Sequence, residues 1–228
     1  MFDAVPRRYD ALNRLLTLRF DERWRRRAAR RCLAGNPPRV LDLCCGTGDL
    51  ALHLARLAGD QTAITGLDYS AAMLEVARAK ALQLPSISAP RFFEGDAAEM
   101  DFPDGLFAAV GIAFGFRNVT WRNPLRERVL AEVHRVLKPG GVFVIVETSQ
   151  PANRLLRSLF HAYLKSIVAP LGSWISRHSS AYRYLAESAR HFYGADEVTA
   201  LLAAAGFTDI KDERLLGGIA ALHVARKP

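Results

Sequence analysis

Residues 40–50 read Val-Leu-Asp-Leu-Cys-Cys-Gly-Thr-Gly-Asp-Leu, a short apolar run, a pair of glycines one residue apart, and the start of a helical pattern. Strand, glycine turn and helix in that order confine a chain to a few parallel-sheet folds, because Gly46 and Gly48 permit a tight turn and close backbone approach by a ligand. The rest of the sequence continues the theme. Arg39–Leu43, Ala63–Leu67, Arg91–Glu94, Phe107–Ile112 and Val142–Glu147 read as strands. Helical patterns run to Leu57, from Ser70 to Leu82 and from Pro124 to Leu137 between them. Alternation of this kind predicts a mostly parallel sheet covered on both faces. After Pro151 it stops for about 40 residues, then resumes with a helix over Ala195–Ala205 and strands over Thr208–Leu215 and Ile219–Arg226. Leu216-Gly217-Gly218 between the last two is a hairpin signal, so an antiparallel pair is expected to end the sheet.

Ahead of the sheet, Phe20, Trp24, Ala28 and Cys32 stand four residues apart with arginines between them, the narrow apolar stripe of a helix. A shorter helix is expected from Ala11 to Leu18, and Gly35-Asn36-Pro37-Pro38 ends the unit. At 228 residues the chain suits one domain, residues 1–228, with a helical cap over 1–36 and a helical insertion or lid over 151–193. Its three cysteines, two of them adjacent and none in a C-x-x-C pair, argue against a disulfide framework or a zinc site and for a reducing compartment. His161, His178 and His191 lack metal-ligand spacing, so no metal is expected. No apolar window reaches the ~18 residues of a membrane span, and the N-terminus lacks a signal-peptide core. The net charge of +8 is concentrated: residues 1–31 hold ten arginines and four acids. Such a segment suits an anionic lipid surface or a nucleic acid, or simply a solvated helix face.

Gly46-x-Gly48-x-x-Ala51 and the acid Asp68, 20 residues beyond Gly48, fit either a nicotinamide dinucleotide or S-adenosylmethionine (SAM), since both carry a ribose whose hydroxyls an acid can receive. Three features favour SAM. Asp42, inside the first strand, can receive an ammonium group and would repel a pyrophosphate. Asp96, in Gly95-Asp96-Ala97-Ala98 after the third strand, stands where an adenine edge would lie. The terminal hairpin is the third. Each residue also has a plain structural role open to it: turn glycines, a helix cap at Asp68, a turn acid at Asp96.

Taken further, the sequence resembles the ubiquinone/menaquinone biosynthesis C-methyltransferases, the UbiE/MenG group, over nearly its whole length. Tyr9-Asp10-Ala11-Leu12-Asn13 with Thr17 and Trp24 is similar to the family's first signature, although Thr17 and Asp21 stand where Ser and His are usual. Arg135-Val136-Leu137-Lys138-Pro139-Gly140-Gly141 followed by Glu147-Thr148-Ser149 is similar to the second. Phe114-Gly115-Phe116-Arg117-Asn118-Val119-Thr120 and Tyr182-Arg183-Tyr184-Leu185-Ala186-Glu187-Ser188 resemble stretches particular to this group. The resemblance implies a class I SAM-dependent methyltransferase, a Rossmann-like α/β fold with a seven-stranded, mostly parallel sheet. It implies SAM contacts at Thr47, Asp68 and Asp96 with Ala97, beside Asp42, Gly46 and Gly48. A fourth family contact is a Ser where Ala113 stands, so one hydrogen bond is missing or comes from backbone.

The implied reaction is C-methylation of a polyprenylated quinol, with Gly217–His223 closer to the menaquinone branch. Arg117 and Asn118, after the fourth strand, are the catalytic candidates. Arg117 would stabilise a developing phenolate or orient a water, and Asn118 would hydrogen-bond the quinol oxygen. An Arg–acid pair with an amide-capped loop is the plain alternative. Tyr9 and Tyr182 or Tyr184 are candidates for closing over the cofactor. The apolar and basic residues of Leu155–Ile175 suit a lid or a groove for an isoprenoid tail near a membrane. A cytoplasmic enzyme peripheral to the membrane follows, with homodimerisation left open and no nucleic acid expected. Two rival classes remain: a non-catalytic SAM-binding partner in a quinone-synthesis complex, and a methyltransferase acting on another acceptor, the ubiquinone-pathway benzoquinol or a nucleic acid.

Overall fold

The computed structural model describes residues 10, 14–59, 61–85, 89–170 and 187–228. The predicted tyrosine closures at Tyr9, Tyr182 and Tyr184 therefore lie outside the described residues, as do residues 11–13 of the expected Ala11–Leu18 helix, of which 14–16 are helical. Within them the elements run in order: α1 (Phe20–Cys32), β1 (Arg39–Leu43), α2 (Asp49–Leu57), β2 (Ala63–Asp68), α3 (Ala71–Ala81), β3 (Arg91–Glu94), β4 (Phe107–Ala113), α4 (Phe116–Thr120) and α5 (Arg126–Val136). Then come β5 (Leu137–Thr148), α6 (Arg154–Tyr163) continued by a π-helical turn (Leu164–Val168), α7 (Ala195–Ala204), β6 (Thr208–Leu215) and β7 (Ala220–Arg226).

The seven strands form one sheet in the order β3-β2-β1-β4-β5-β7-β6. The first five pair in parallel and β7 runs antiparallel to both β5 and β6, as the hairpin signal predicted. The strand order reverses between β1 and β4, and in open α/β sheets ligands bind at the carboxyl edge beside such a switch point. Strand β5 begins at Leu137, earlier than the Val142 expected from its β-branched run, with a register shift opposite Ala108.

Period-2 alternation divides the core between the two faces. Val144 and Val146 of β5 join Trp24, Ala28, Leu50, Leu54, Leu74 and Ala77 from α1, α2 and α3. Phe143 and Ile145 join Phe116, Val129, Val133, Val198 and Leu202 from α4, α5 and α7. Helix α1 is more than its narrow stripe: Asp21, Arg25 and Ala29 are buried as well. Asp21 accepts from Thr17 Oγ1 at 2.7 Å and from Arg25 Nη1 at 2.6 Å, so the acid at the family's histidine position has its own partners. The Arg25 guanidinium lies 4.9 Å above the Phe114 ring, which ties α1 to the turn after β4.

A five-point clamp holds the edge between β3 and α5. Arg135 donates to Glu132, Asp104 and the carbonyls of Met100 and Phe102, while Glu132 accepts the Met100 N–H at 2.7 Å. Residue 135 of the second signature thus orders the segment just after Asp96.

Candidate active site

The glycine turn is built from three left-handed residues, Cys44 (φ 52°), Gly46 (φ 53°) and Gly48 (φ 80°). Two of the three positions carry the residue that adopts this conformation without strain. Gly48 is also required by packing, since a Cβ there would stand 2.9 Å from that of Ala77. Beside Gly46 the opposite holds: a Cβ would meet nothing within 4 Å, so open space adjoins the turn.

Asp68, at the end of β2, holds three turns together. Its Oδ2 accepts the Gly46 N–H at 2.7 Å, its Oδ1 accepts the Ser70 N–H at 2.9 Å, and its carbonyl accepts the Gly95 N–H at 3.0 Å. A carboxylate has about four lone-pair sites, so accepting two N–H groups is compatible with receiving ribose hydroxyls. Asp42 is buried beneath the turn and accepts the Ala51 N–H at 2.8 Å. Burial pushes its carboxyl well above the ordinary range against the pull of that N–H, and Asp68 adds to the rise. Asp96 is exposed, and its Oδ1 accepts the Ala98 N–H at 2.8 Å, which caps the segment that buries Ala97. Burial raises the pKa of the Cys44 thiol, and the charges of Asp68, Asp42 and Asp96 add to the rise.

Thr47 is buried and its hydroxyl donates to Asp10 at 2.7 Å. Asp10 also pairs with Lys80 Nζ at 2.5 Å, Lys80 reaches Asp49 at 2.7 Å, and Arg14 joins Asp49 to Glu22. The N-terminal segment is thereby fastened over the glycine turn. Sequence reasoning quoted Asp10 only as part of a signature and overlooked Lys80, whose sole mark in the sequence is a lone lysine late in α3.

Beyond β4 the turns touch: a Cβ on Gly115 would stand 2.9 Å from Cys44 Cβ. Arg117 is buried, and its hydrogen bonds go to the end of β5. Its Nη1 donates to Glu147 Oε1 at 3.2 Å and Thr148 Oγ1 at 2.7 Å, and its backbone N–H to Glu147 Oε2 at 3.1 Å. The Arg–acid pair named as the plain alternative is thus present. Arg117 Nε and Asn118 Oδ1 are buried and have no hydrogen-bond partner among the described residues. Orphaned buried polar atoms are costly and call for an occupant. Ala113 brings no hydroxyl, and the next N–H, that of Phe114, is spent on the Val146 carbonyl at 2.9 Å. One cavity, of about 610 Å³, lies at the opposite, amino edge between Pro38, Lys138 and Arg226, away from all these residues.

The site chemistry suits SAM: acids for its ammonium and ribose, open space along Gly46, and a buried Asp42 beneath the turn that would repel a pyrophosphate. The comparisons agree with that chemistry. The chain aligns over its whole length with a demethylmenaquinone methyltransferase of Thermus thermophilus at 43% identity, covering all of both chains. It is 38% identical to a ubiquinone/menaquinone biosynthesis C-methyltransferase UbiE of a Geobacter species, covering all of this chain and 94% of that one. Among solved structures, a SAM-dependent methyltransferase from Aquifex aeolicus superposes with a TM-score of 0.60 at 18% identity, over 83% of this chain and 82% of that one, a likeness of fold. The pattern of the ubiE/COQ5 methyltransferase family matches residues 1–227, and the chain belongs to that family of methyltransferases.

Proposed function

We propose that this chain transfers a methyl group from SAM to a ring carbon of a polyprenylated quinol, converting demethylmenaquinol to menaquinol. The observation that carries this reading is the full-length likeness to chains named for that reaction. Bound SAM supplies an electrophilic methyl carbon on a sulfonium. Asp42 would take its ammonium, directly or through water, Asp68 its ribose hydroxyls, and the segment at Asp96 and Ala97 its adenine. Gly46, Thr47 and Gly48 would form the wall along it.

The acceptor ring carbon becomes nucleophilic as the neighbouring hydroxyl loses its proton, so the protein must favour the phenolate and keep the ring in line. Arg117 is suited to the first task through its Nε–H, because Glu147 and Thr148 hold the other arm of the guanidinium in place. It is not a simple base, since guanidinium keeps its proton. Asn118 would hydrogen-bond the same oxygen. The lipid tail of such a substrate implies work at an anionic membrane surface; among the described residues no helix is long and apolar enough to cross a membrane. A cytoplasmic location and homodimerisation are part of the same reading.

The test is methyl transfer from labelled SAM to a short-tailed demethylmenaquinol under reducing conditions, with NADH binding as a control. Label in the extracted quinone supports the reading. A second reading, a non-catalytic SAM-binding partner, draws on the commitment of Arg117 to β5, and it would be favoured by SAM binding without transfer to this or the ubiquinone-pathway acceptor. NADH binding without SAM binding would sink both.

A further inference from the structure

Three segments far apart in sequence meet at the carboxyl edge of the sheet. Residues 14–18 rest on α6 and its π turn: Leu16 packs with Phe160, Leu164 and Val168, and Tyr163 donates its hydroxyl to the Leu16 carbonyl at 2.5 Å. The turn between β6 and β7 also rests on α6, where a Cβ on Gly217 would stand 2.6 Å from Leu156. Together they leave six large apolar side chains in solvent: Leu15 (56% exposed), Leu18 (76%), Leu155 (70%), Leu159 (60%), Ile167 (47%) and Leu216 (49%).

Folding does not account for them. Helix α6 buries only Phe160, so Leu155 and Leu159 are spare to the core. Leu18 and Leu216 stand at φ 51° and φ 47°, left-handed positions where glycine or asparagine costs less than leucine. Each is unfavourable for the isolated protein twice, in backbone and in exposure.

Within the three segments the charge has one sign, although Arg14 and Arg214 pair with acids just outside them. Residues 14–19, 153–169 and 214–219 contain no aspartate or glutamate. Arg19, Arg154 and Lys165 are exposed, and together with Arg157 they have no ion-pair partner among the described residues. Leucines fringed by arginine and lysine on an amphipathic helix are the composition that seats in an anionic lipid interface.

We propose that residues 14–19, α6 with its π turn, and the β6–β7 turn form one face that seats on an anionic bilayer and turns the carboxyl edge of the sheet toward the membrane. The proposal deepens the quinol reading, since a polyprenyl tail lies in the bilayer that this face would meet, and it names the surface that reading leaves open.

The full chain is sedimented with phosphatidylcholine vesicles with and without phosphatidylglycerol. The expected result is binding that needs the anionic lipid and weakens with salt. Leu155→Gln with Leu159→Gln is expected to lower partitioning ~100-fold or more, as loss of two inserted leucines should. Leu18→Asn with Leu216→Asn is expected to lower it too while leaving Tm unchanged or higher, which a folding role for those leucines would not allow. The Leu18→Asn, Leu216→Asn double variant should keep wild-type turnover on a soluble, short-tailed quinol. The proposal is overturned by absence of vesicle binding, by equal binding of wild type and leucine variants, or by binding lost only on replacing Arg26 and Arg30 of α1 with glutamine. Methyl transfer without vesicle binding would remove this face and leave the reaction standing. Leucine-dependent vesicle binding without methyl transfer to any quinol would do the reverse.

Discussion

Asp68 Oδ2 accepts the backbone N–H of Gly46 at 2.7 Å, so the carboxylate expected to receive the ribose also shapes the turn that would face it. Binding and loop geometry are therefore coupled at one side chain. Asp68→Ala removes the acceptor of two backbone N–H groups as well as the ribose partner. SAM affinity measured by calorimetry is expected to fall roughly 10- to 100-fold, the cost of about one to two charge-assisted hydrogen bonds. Asp68→Asn, which keeps one acceptor oxygen, should fall between wild type and Asp68→Ala. Unchanged affinity in Asp68→Ala would restrict the residue to a helix-cap role.

Asp42 is expected to make SAM binding pH-dependent. Burial raises its carboxyl pKa well above the ordinary range, and a bound ammonium favours the carboxylate. Protonation then competes with the ligand, so affinity should decline on acidification starting at a pH above the ordinary carboxylate value of about 4. Asp42→Asn is expected to bind more weakly and to flatten that dependence. Titrations across pH with both proteins test this, and parallel slopes would exclude Asp42 as the ammonium site.

The Arg117–Glu147 pair is buried on both sides, with side chains 6% and 4% exposed. Glu147→Ala strands a buried guanidinium and is expected to cost about 3–5 kcal/mol in denaturant unfolding, whereas replacing both by apolar residues should cost much less. Arg117→Lys keeps a charge but loses the Nε–H. Its turnover is expected to drop about 10- to 100-fold with little change in SAM affinity. Equal losses in both would make Arg117 a scaffold for the pocket.

Acid should release the N-terminal segment. Burial works against ionisation of Asp49, but Arg25, Lys80 and Arg14 outweigh it and hold the carboxyl below its usual range. A depressed acid stabilises the fold above its unfolded pKa of about 3.9, and that contribution is lost as pH falls through the lower folded value. Tm should therefore drop steeply below pH ~4, and less steeply in Asp49→Asn. Lys80→Met leaves Asp10 and Asp49 without their shared cation. Amide exchange at residues 14–18 should then speed up while the central strands stay protected.

The cysteines of the turn are expected to be inert. Burial, with Asp42 and Asp68 nearby, pushes the Cys44 and Cys45 thiols up, and burial does the same for Cys32. Thiolate is the reactive form, so iodoacetamide at pH ~8 should label none of the three in the native protein and all three after unfolding. Labelling of native Cys44, read by mass spectrometry, would contradict this.

Short-range spacing was enough to read β1, β3 and β6 to the residue, because alternation, glycine turns and helix starts are properties of neighbouring positions. The same spacing placed Gly46, Gly48 and Asp68 in order, since a turn and the end of the next strand are one βα unit apart. Which partner a side chain meets across the sheet was decided elsewhere. Arg117 and Glu147 are 30 residues apart and become partners only because β4 lies beside β5 in parallel register. Asp10 reaches Thr47, and Leu16 reaches Tyr163, only once the N-terminal segment folds back over the carboxyl edge. Local pattern determined the elements and the glycine turn of this methyltransferase. Strand order and the docking of its cap decided which charges are paired, which polar atoms are left without partners and which leucines face outward, because those depend on contacts that neighbouring residues do not encode.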